Sequence, residues 1–399
     1  MQKKSTEILD RLKRGQETIL TRILVFTTAY RPMIGGSEMA LEEVVRRLPD
    51  IFFDIVTPKH KSSFNVFETG SNFNIHRIGV GAGILDKIVF PVFGFFKAVS
   101  LMKNYNYNSV HAYQASYGGG AAWLVKLFSP RLPFILTMQE GKKLDEQSAI
   151  LNWFRELIIR KADTITAIST YLKEYVQKIS KNKEVFLIPN GVDLKKFQIP
   201  SHKLQADFKF NEKDHTIITV SRLVPKNGLA DLIRAFKILD ASHLVRKTKL
   251  LVIGGGPQRE ELFKLTEELG LKDRVEFLGS ISNEKIYEYL ASSSVFVRPS
   301  LSEGLGIAFL EAMASGVPII GTPVGGITDF LKDPSTHSGQ ATGLFCKPGD
   351  PKDIADKVKM ILSDDELRNR LITNGRKLVE EKYDWNNIAE KFRGIYERV

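Results

Sequence analysis

Cysteine is almost absent. Cys346 is the only one in 399 residues, so no internal disulfide can form and a reducing, cytoplasmic setting is expected. The seven histidines are scattered and make no group with zinc-ligand spacing, so no metal site and no bound cofactor is expected. Met1 to Arg22 is polar and charged and lacks the apolar core of a signal peptide; it reads as an added helix or tail. No apolar run is long enough to span a bilayer. The strongest, Ile88 to Phe96, is interrupted by Pro91 and closed by Lys97. Zinc-finger and aromatic RNP signatures are missing too, which argues against a nucleic-acid partner.

What is present is apolar, and its charge is uneven. Apolar residues make up 43% of the chain, enough for two cores at the usual domain size of about 100 to 200 residues. Residues 1–200 hold 28 Lys and Arg against 18 Asp and Glu, whereas the rest holds 29 against 28. Almost all of the net +11 therefore lies in the first half, and a surface of that sign suits an anionic lipid or an acidic glycan.

Short apolar runs alternate with amphipathic stretches in the βαβ manner. Ile23 to Thr27, Ser109 to Ala112 and Phe134 to Thr137 read as strands of one sheet. Thr216 to Val220, Lys249 to Ile253, Arg274 to Leu278, Val295 to Arg298 and Pro318 to Gly321 read as strands of a second. Lys195 to Asn211 breaks the periodicity between them. Four segments follow: an extension over 1–21, a first domain over 22–205, a second over 206–380 and a terminal helix over 381–399.

The most informative stretch is Glu303-Gly304-Leu305-Gly306, running on through Leu310-Glu311-Ala312-Met313-Ala314 to Gly316 and Pro318. Gly304 and Gly306 let the backbone approach a ligand, and the run Ile307 to Ala314 opens a helix whose first amides suit a diphosphate. Glu303 on the loop and Glu311, eight residues or about two turns later, provide two acceptors for hydroxyls, one for a sugar and one for a ribose. The glycine turn Gly254-Gly255-Gly256-Pro257 follows a strand, at the sheet edge where open α/β folds bind ligands, and equally fits a tight βα connection. Arg222, just past Thr216 to Val220, has the fork that clamps phosphate oxygens.

These motifs, with Gly35-Gly36-Ser37-Glu38, Ile168-Ser169, Pro189-Asn190-Gly191-Val192-Asp193, Ser221-Arg222-Leu223 and Gly325-Gly326 in the same order, resemble the family 4 glycosyltransferases over roughly residues 22 to 399. The resemblance implies an α/β GT-B fold: two Rossmann-like βαβ domains facing across a cleft, with a C-terminal helix crossing back to the first. It implies retaining transfer of a hexosyl group from a nucleoside-diphosphate sugar to a glycan or lipid-linked acceptor in cell-envelope glycan synthesis. It further implies donor contacts from Gly35, Gly36, Asn190, Arg222, Gly254, Gly256, Glu303, Gly304, Leu305, Gly306 and Glu311, and base contacts through the backbone around Gly279 to Ile281.

Two positions depart from the family pattern. The lysine usually found five residues after the arginine is Asn227 here, with Lys226 beside it, so either can face the diphosphate. After Phe134 to Thr137, where the family often carries a histidine, the chain reads Met138-Gln139-Glu140. Gln139 can orient hydroxyls but cannot act as a base; Glu140 is the nearest carboxylate able to take a proton, or else a turn residue. His111 reads as structural. The chain has no Asp-x-Asp, the usual divalent-metal grip of the other major glycosyltransferase fold. Metal-independent catalysis is therefore expected, with Arg222, Lys226 and helix-end amides offsetting the diphosphate. The alternatives are a GT-B-like epimerase or a non-catalytic sugar-nucleotide-binding module. Ile84 to Tyr107, in which Lys87 and Lys97 flank the run Ile88 to Phe96 and Lys103 follows, reads either as a peripheral membrane-docking segment on the inner face of an anionic membrane or as a buried helix lining the acceptor site.

Overall fold

The computed structural model describes residues 21–33, 35–141, 144, 147–197, 215–241, 248–334 and 340–399. The chain divides into two compact units, one of residues up to Ile188 together with Ile388–Val399, the other Pro189–Asn387. The expected boundary between 205 and 206, like most of Lys195 to Asn211 and all but the last residue of the extension over 1–21, lies outside the described residues.

In the first unit, β1 (Arg22–Phe26), α1 (Gly36–Arg47), β2 (Phe52–Pro58), β3 (Phe67–Thr69) and β4 (Phe73–Ile78) come first. The long α2 (Ile84–Met102), β5 (Ser109–Tyr113), α3 (Tyr117–Phe128) and β6 (Phe134–Met138) follow. It continues with α4 (Ala149–Lys161), β7 (Thr164–Ala167), α5 (Thr170–Ile179) and β8 (Val185–Leu187). Their sheet has the order β3-β4-β2-β1-β5-β6-β7-β8 and is parallel except for β3. Strands covered by helices on both faces read as continuous apolar runs, and Ile23, Leu24, Val25 and Phe26 are all fully buried.

The second unit opens with α6 (Leu194–Phe197) and β9 (Thr216–Val220), then α7 (Leu229–Asp240), β10 (Lys249–Ile253), α8 (Arg259–Glu268) and β11 (Val275–Gly279). After these come α9 (Asn283–Ala291), β12 (Val295–Arg298), α10 (Ile307–Ala314), β13 (Ile319–Gly321), α11 (Ile327–Phe330) and β14 (Leu344–Phe345). The last elements are α12 (Pro351–Ser363), α13 (Asp365–Lys382) and α14 (Trp385–Arg398). The six strands are parallel, in the order β11-β10-β9-β12-β13-β14. Ile217, Leu250, Val252, Val295 and Val297 meet Leu232, Ile233 and Phe236 of α7 and Ile354, Val358 and Ile361 of α12 in one core. The final residues of α14 belong to the first unit, where Tyr396 and Phe392 pack around His111.

Candidate functional site

The residues singled out in the second half sit at the carboxyl edge of the second sheet. Strands β9, β12 and β13 are neighbours there, with Phe296 opposite Ile218 and Arg298 opposite Gly321, so the turns that follow them adjoin. The loop after β12 carries Glu303 to Gly306 and is gripped from both sides. The Leu301 amide donates to the Lys226 carbonyl at 2.6 Å, and the Lys226 ammonium donates to the Ser302 carbonyl at 3.4 Å. From the turn after β13, the Thr322 hydroxyl donates to Ser300 O at 2.5 Å, while the Gly326 amide donates to Glu303 O at 3.3 Å. Of the two cations proposed for the diphosphate, Lys226 is thus one whose charge lies against this loop.

Arg222 extends outward and is exposed. Its turn is closed by Asn227, buried at 4% exposure, whose side-chain amide donates to Arg222 O at 2.7 Å. Asn227 serves the turn, and that is the physical reason a short amide can stand where a long lysine is usual. The glycine turn after β10 lies beneath it. Ser221 N donates to Ile253 O and Leu223 N to Gly255 O, each at 3.0 Å. At Gly254, φ is +134° and a Cβ would fall 1.8 Å from Ser221 O, so only glycine permits this approach. Gly254 and Gly256 therefore pack against the Arg222 turn and set its height above the sheet. The Gly254 amide also donates to Gly279 O at 2.7 Å, which ties in the turn leading to the partly exposed Ile281.

Gly304, Leu305 and Gly306 are buried at the start of α10, with Gly306 as the residue before its first turn. Glu303 Oε1 accepts the Gly304 amide at 3.0 Å and Oε2 accepts Arg298 Nη2 at 2.5 Å. Each oxygen keeps a lone pair for a hydroxyl. Glu311 retains some surface, yet burial pushes its carboxyl up to about 7, against the pull of the Arg298 and Lys196 cations. Both carboxylates thus feel Arg298, a residue sequence reasoning did not single out. The available signal was a charged residue ending an otherwise apolar strand, Val295-Phe296-Val297-Arg298.

The remaining predicted residues belong to the first unit, except Asn190, which is buried at the start of the second. Gly35 and Gly36 head α1, and the loop before them is held by the buried Arg77. Its Nη2 donates to Arg31 O at 2.6 Å, and its Nη1 meets Glu68 Oε1 at 2.6 Å. Gln139 and Glu140 follow β6, both largely buried. Glu140 Oε1 accepts the Ala115 amide at 2.7 Å, while Oε2 is buried without a partner among the described residues. Burial raises this carboxyl above its ordinary range, with the Arg155 cation opposing. Such a group holds a proton more readily than an exposed glutamate.

Comparison with known proteins agrees with the fold and the motif order. The family model for glycosyl transferases group 1 matches residues 201–378, and that for glycosyltransferase family 4 matches residues 34–196. An uncharacterised glycosyltransferase of Methanocaldococcus jannaschii is 30% identical over 280 residues, covering 67% of this chain and 69% of the relative. The N-acetyl-alpha-D-glucosaminyl L-malate synthase of Bacillus anthracis is 26% identical over 382 residues, covering 94% and 97%. Anabaena HepE, solved in complex with UDP and glucose, superposes with a TM-score of 0.76 at 16% identity, over 95% of this chain and all of that one. With both halves matched by the family's models and the motifs seated on two parallel-sheet units of the GT-B kind, the chain belongs to the family 4 glycosyltransferases.

Proposed function

We propose that the protein transfers a hexosyl group, with retention at the anomeric carbon and without a metal ion, from a nucleoside-diphosphate sugar to a lipid-linked or polysaccharide acceptor of the cell envelope. The observation that carries the donor half is the meeting of Arg222, Lys226, Glu303 and the start of α10 on adjoining turns of one sheet edge. Arg222 and Lys226 offset the diphosphate, the first amides of α10 add partial positive charge, and Glu303 and Glu311 accept sugar and ribose hydroxyls. The leaving phosphate takes the acceptor's proton during attack on the same face, so no carboxylate pair at glycosidase spacing is needed. HepE's complex with UDP and glucose supports a donor of this class.

The acceptor half rests on α2. Ile84, Ile88, Val92 and Phe96 form one row along this helix, Leu85, Val89 and Phe93 the next, and all seven are exposed. Phe90, Gly94, Ala98 and Leu101 supply the buried side. The helix is therefore not wholly buried. So wide an outward apolar face, with Lys87, Lys97 and Lys103 on the same segment, suits the interface of an anionic membrane, and among the described residues no helix is long and apolar enough to cross one. In this reading the enzyme works in the cytoplasm, peripheral to the inner membrane face, where a lipid-linked acceptor is presented.

A thermal-shift panel of UDP, GDP, ADP and their sugars tests the donor assignment. The true donor should stabilise the protein by about 2.7 kcal/mol at a hundredfold excess over Kd. Indifference to the whole panel would remove the nucleotide site. Release of free nucleoside diphosphate only when acceptor is added would separate a transferase from a binding module.

A further inference from the structure

We infer that Arg298 is a positioning residue for the donor's sugar: it fixes the Glu303 carboxylate and ties it to the strand end that carries Arg222. This inference rests on the donor-site reading above. Arg298 is the last residue of β12, 6% exposed, and its guanidinium reaches three elements. Nη2 donates to Glu303 Oε2 at 2.5 Å, Nη1 donates to Val220 O at 3.3 Å, and the guanidinium carbon lies 4.7 Å from the centre of the Phe309 ring on α10. Val220 immediately precedes the Arg222 turn, so one planar fork spans the phosphate-side turn, the sugar-side loop and the helix start.

The ring beneath it is itself held. Phe309 packs on Phe296 of β12 at 5.0 Å and on Phe330 of α11 at 5.5 Å, which leaves the guanidinium one plane to lie on. Gly306 completes the enclosure. Its φ is +95°, and a Cβ there would sit 3.1 Å from Arg298 Nη2, 2.9 Å from Phe309 and 3.3 Å from Glu303 Cγ, crowding both ends of the ion pair. The second glycine of the loop therefore guards Arg298 as much as it admits a ligand.

Stability alone does not account for the arrangement. Arg298 Nε is buried with no partner among the described residues, and a buried ion pair is at best a weak source of stability compared with apolar side chains of the same volume. A cation retained there at that cost has a geometric task. It holds the Glu303 side chain in one rotamer, so that the remaining lone pairs meet a sugar hydroxyl without reorganisation.

The test compares wild type, Arg298→Met, Arg298→Gln and Glu303→Gln by calorimetric binding of UDP, UDP-glucose, UDP-N-acetylglucosamine, GDP and GDP-mannose. The quantity read is the ratio of affinities for each sugar nucleotide and its parent diphosphate. Both Arg298 variants should lower the ratio of the preferred pair by about tenfold, as far as Glu303→Gln does, while parent binding stays within about threefold. Combined with Glu303→Gln, they should lower it no further. An unchanged ratio, or fully additive losses, overturns the inference; Arg298→Gln decides the case if Arg298→Met does not fold. The same cycle on the urea midpoint is independent of any ligand and should also be non-additive, so additivity there overturns the Arg298–Glu303 coupling outright. A wild type that binds none of the five nucleotides would instead overturn the donor reading.

Discussion

The Tyr396 hydroxyl lies 2.9 Å from His111 Nδ1, joining the last helix to the middle of the first sheet across 285 positions of sequence. The other ring nitrogen lies 2.7 Å from Thr137 Oγ1, which in turn meets Thr166 Oγ1 at 2.7 Å. Burial pushes the His111 pKa down to about 3, so the ring is neutral and one of its nitrogens donates while the other accepts. Tyr396→Phe should leave that buried nitrogen unpaired and cost about 1 to 3 kcal/mol in urea unfolding. The pH dependence has a definite sign. The unfolded chain takes up the proton near 6.5 and the folded chain only near 3, so this contribution is complete above 6.5 and is lost as pH falls toward 3. A Tyr396→Phe midpoint equal to wild type would show that the hydrogen bond does not hold the helix.

Glu303→Ala and Glu311→Ala should each reduce transfer by about tenfold or more while leaving the protein folded, since one lost hydrogen bond to a buried hydroxyl is worth on the order of 1 to 3 kcal/mol. Glu311 adds a pH signature. Its folded pKa, raised to about 7, means that the carboxylate becomes available as acceptor only as pH rises through neutrality. Affinity for the nucleotide sugar should therefore weaken about tenfold between pH 8 and 6 in the wild type and stay nearly flat in Glu311→Gln. Wild-type turnover by both alanine variants would remove these residues from the site.

Arg222→Ala should weaken a nucleoside diphosphate far more than the bare nucleoside, because in the proposed site its exposed guanidinium meets the phosphates and not the base. Activity should also survive excess EDTA. Strict dependence on added Mn²⁺ or Mg²⁺ would place the diphosphate charge on a metal instead.

Where a pattern is local, the sequence was sufficient to find it. The bounds of β9, β10 and α10 coincide with the runs Thr216 to Val220, Lys249 to Ile253 and Ile307 to Ala314, because strand and helix periods are written in neighbouring residues. The ion pair of Arg298 with Glu303 was not legible, since it joins a strand end to an irregular loop with no period to betray it. The burial of Asn227 depends on the Arg222 carbonyl above it, which is a fact of turn geometry. For α2 the difficulty was different. A helix apolar nearly all round carries no polar stripe to mark its solvent side, and only the packing of α3, β2 and β4 against one flank decides which residues face out.

Gly254→Ala should damage nucleotide binding from a distance. The added methyl would meet Ser221 O and require a backbone angle that alanine rarely adopts, so the Arg222 turn must lift from the sheet. A stability loss above about 1 kcal/mol and a diphosphate affinity lowered by about tenfold are expected. Gly270→Ala is the control: its φ is also positive, at +68°, but a Cβ there meets nothing within 4 Å. Equal diphosphate binding by the two variants would show that the Gly254 contact does not set the position of Arg222.

Sedimentation with liposomes tests the outward face of α2. Basic residues near anionic headgroups contribute roughly 1 kcal/mol each, and inserted aromatic and aliphatic side chains add to that. Pelleting with anionic vesicles should therefore fall sharply at high salt and in a Lys87/Lys97/Lys103→Glu variant. A Phe93→Ser/Phe96→Ser variant separates the two contributions: both rings are more than half exposed, so their loss should weaken binding at every salt concentration without unfolding the helix. Phe95, in edge contact with Phe128 at 5.7 Å, is left in place because it belongs to the packing of α2 on α3. Equal pelleting with neutral and anionic vesicles, or none with either, would leave the basic first half to meet a free acidic glycan.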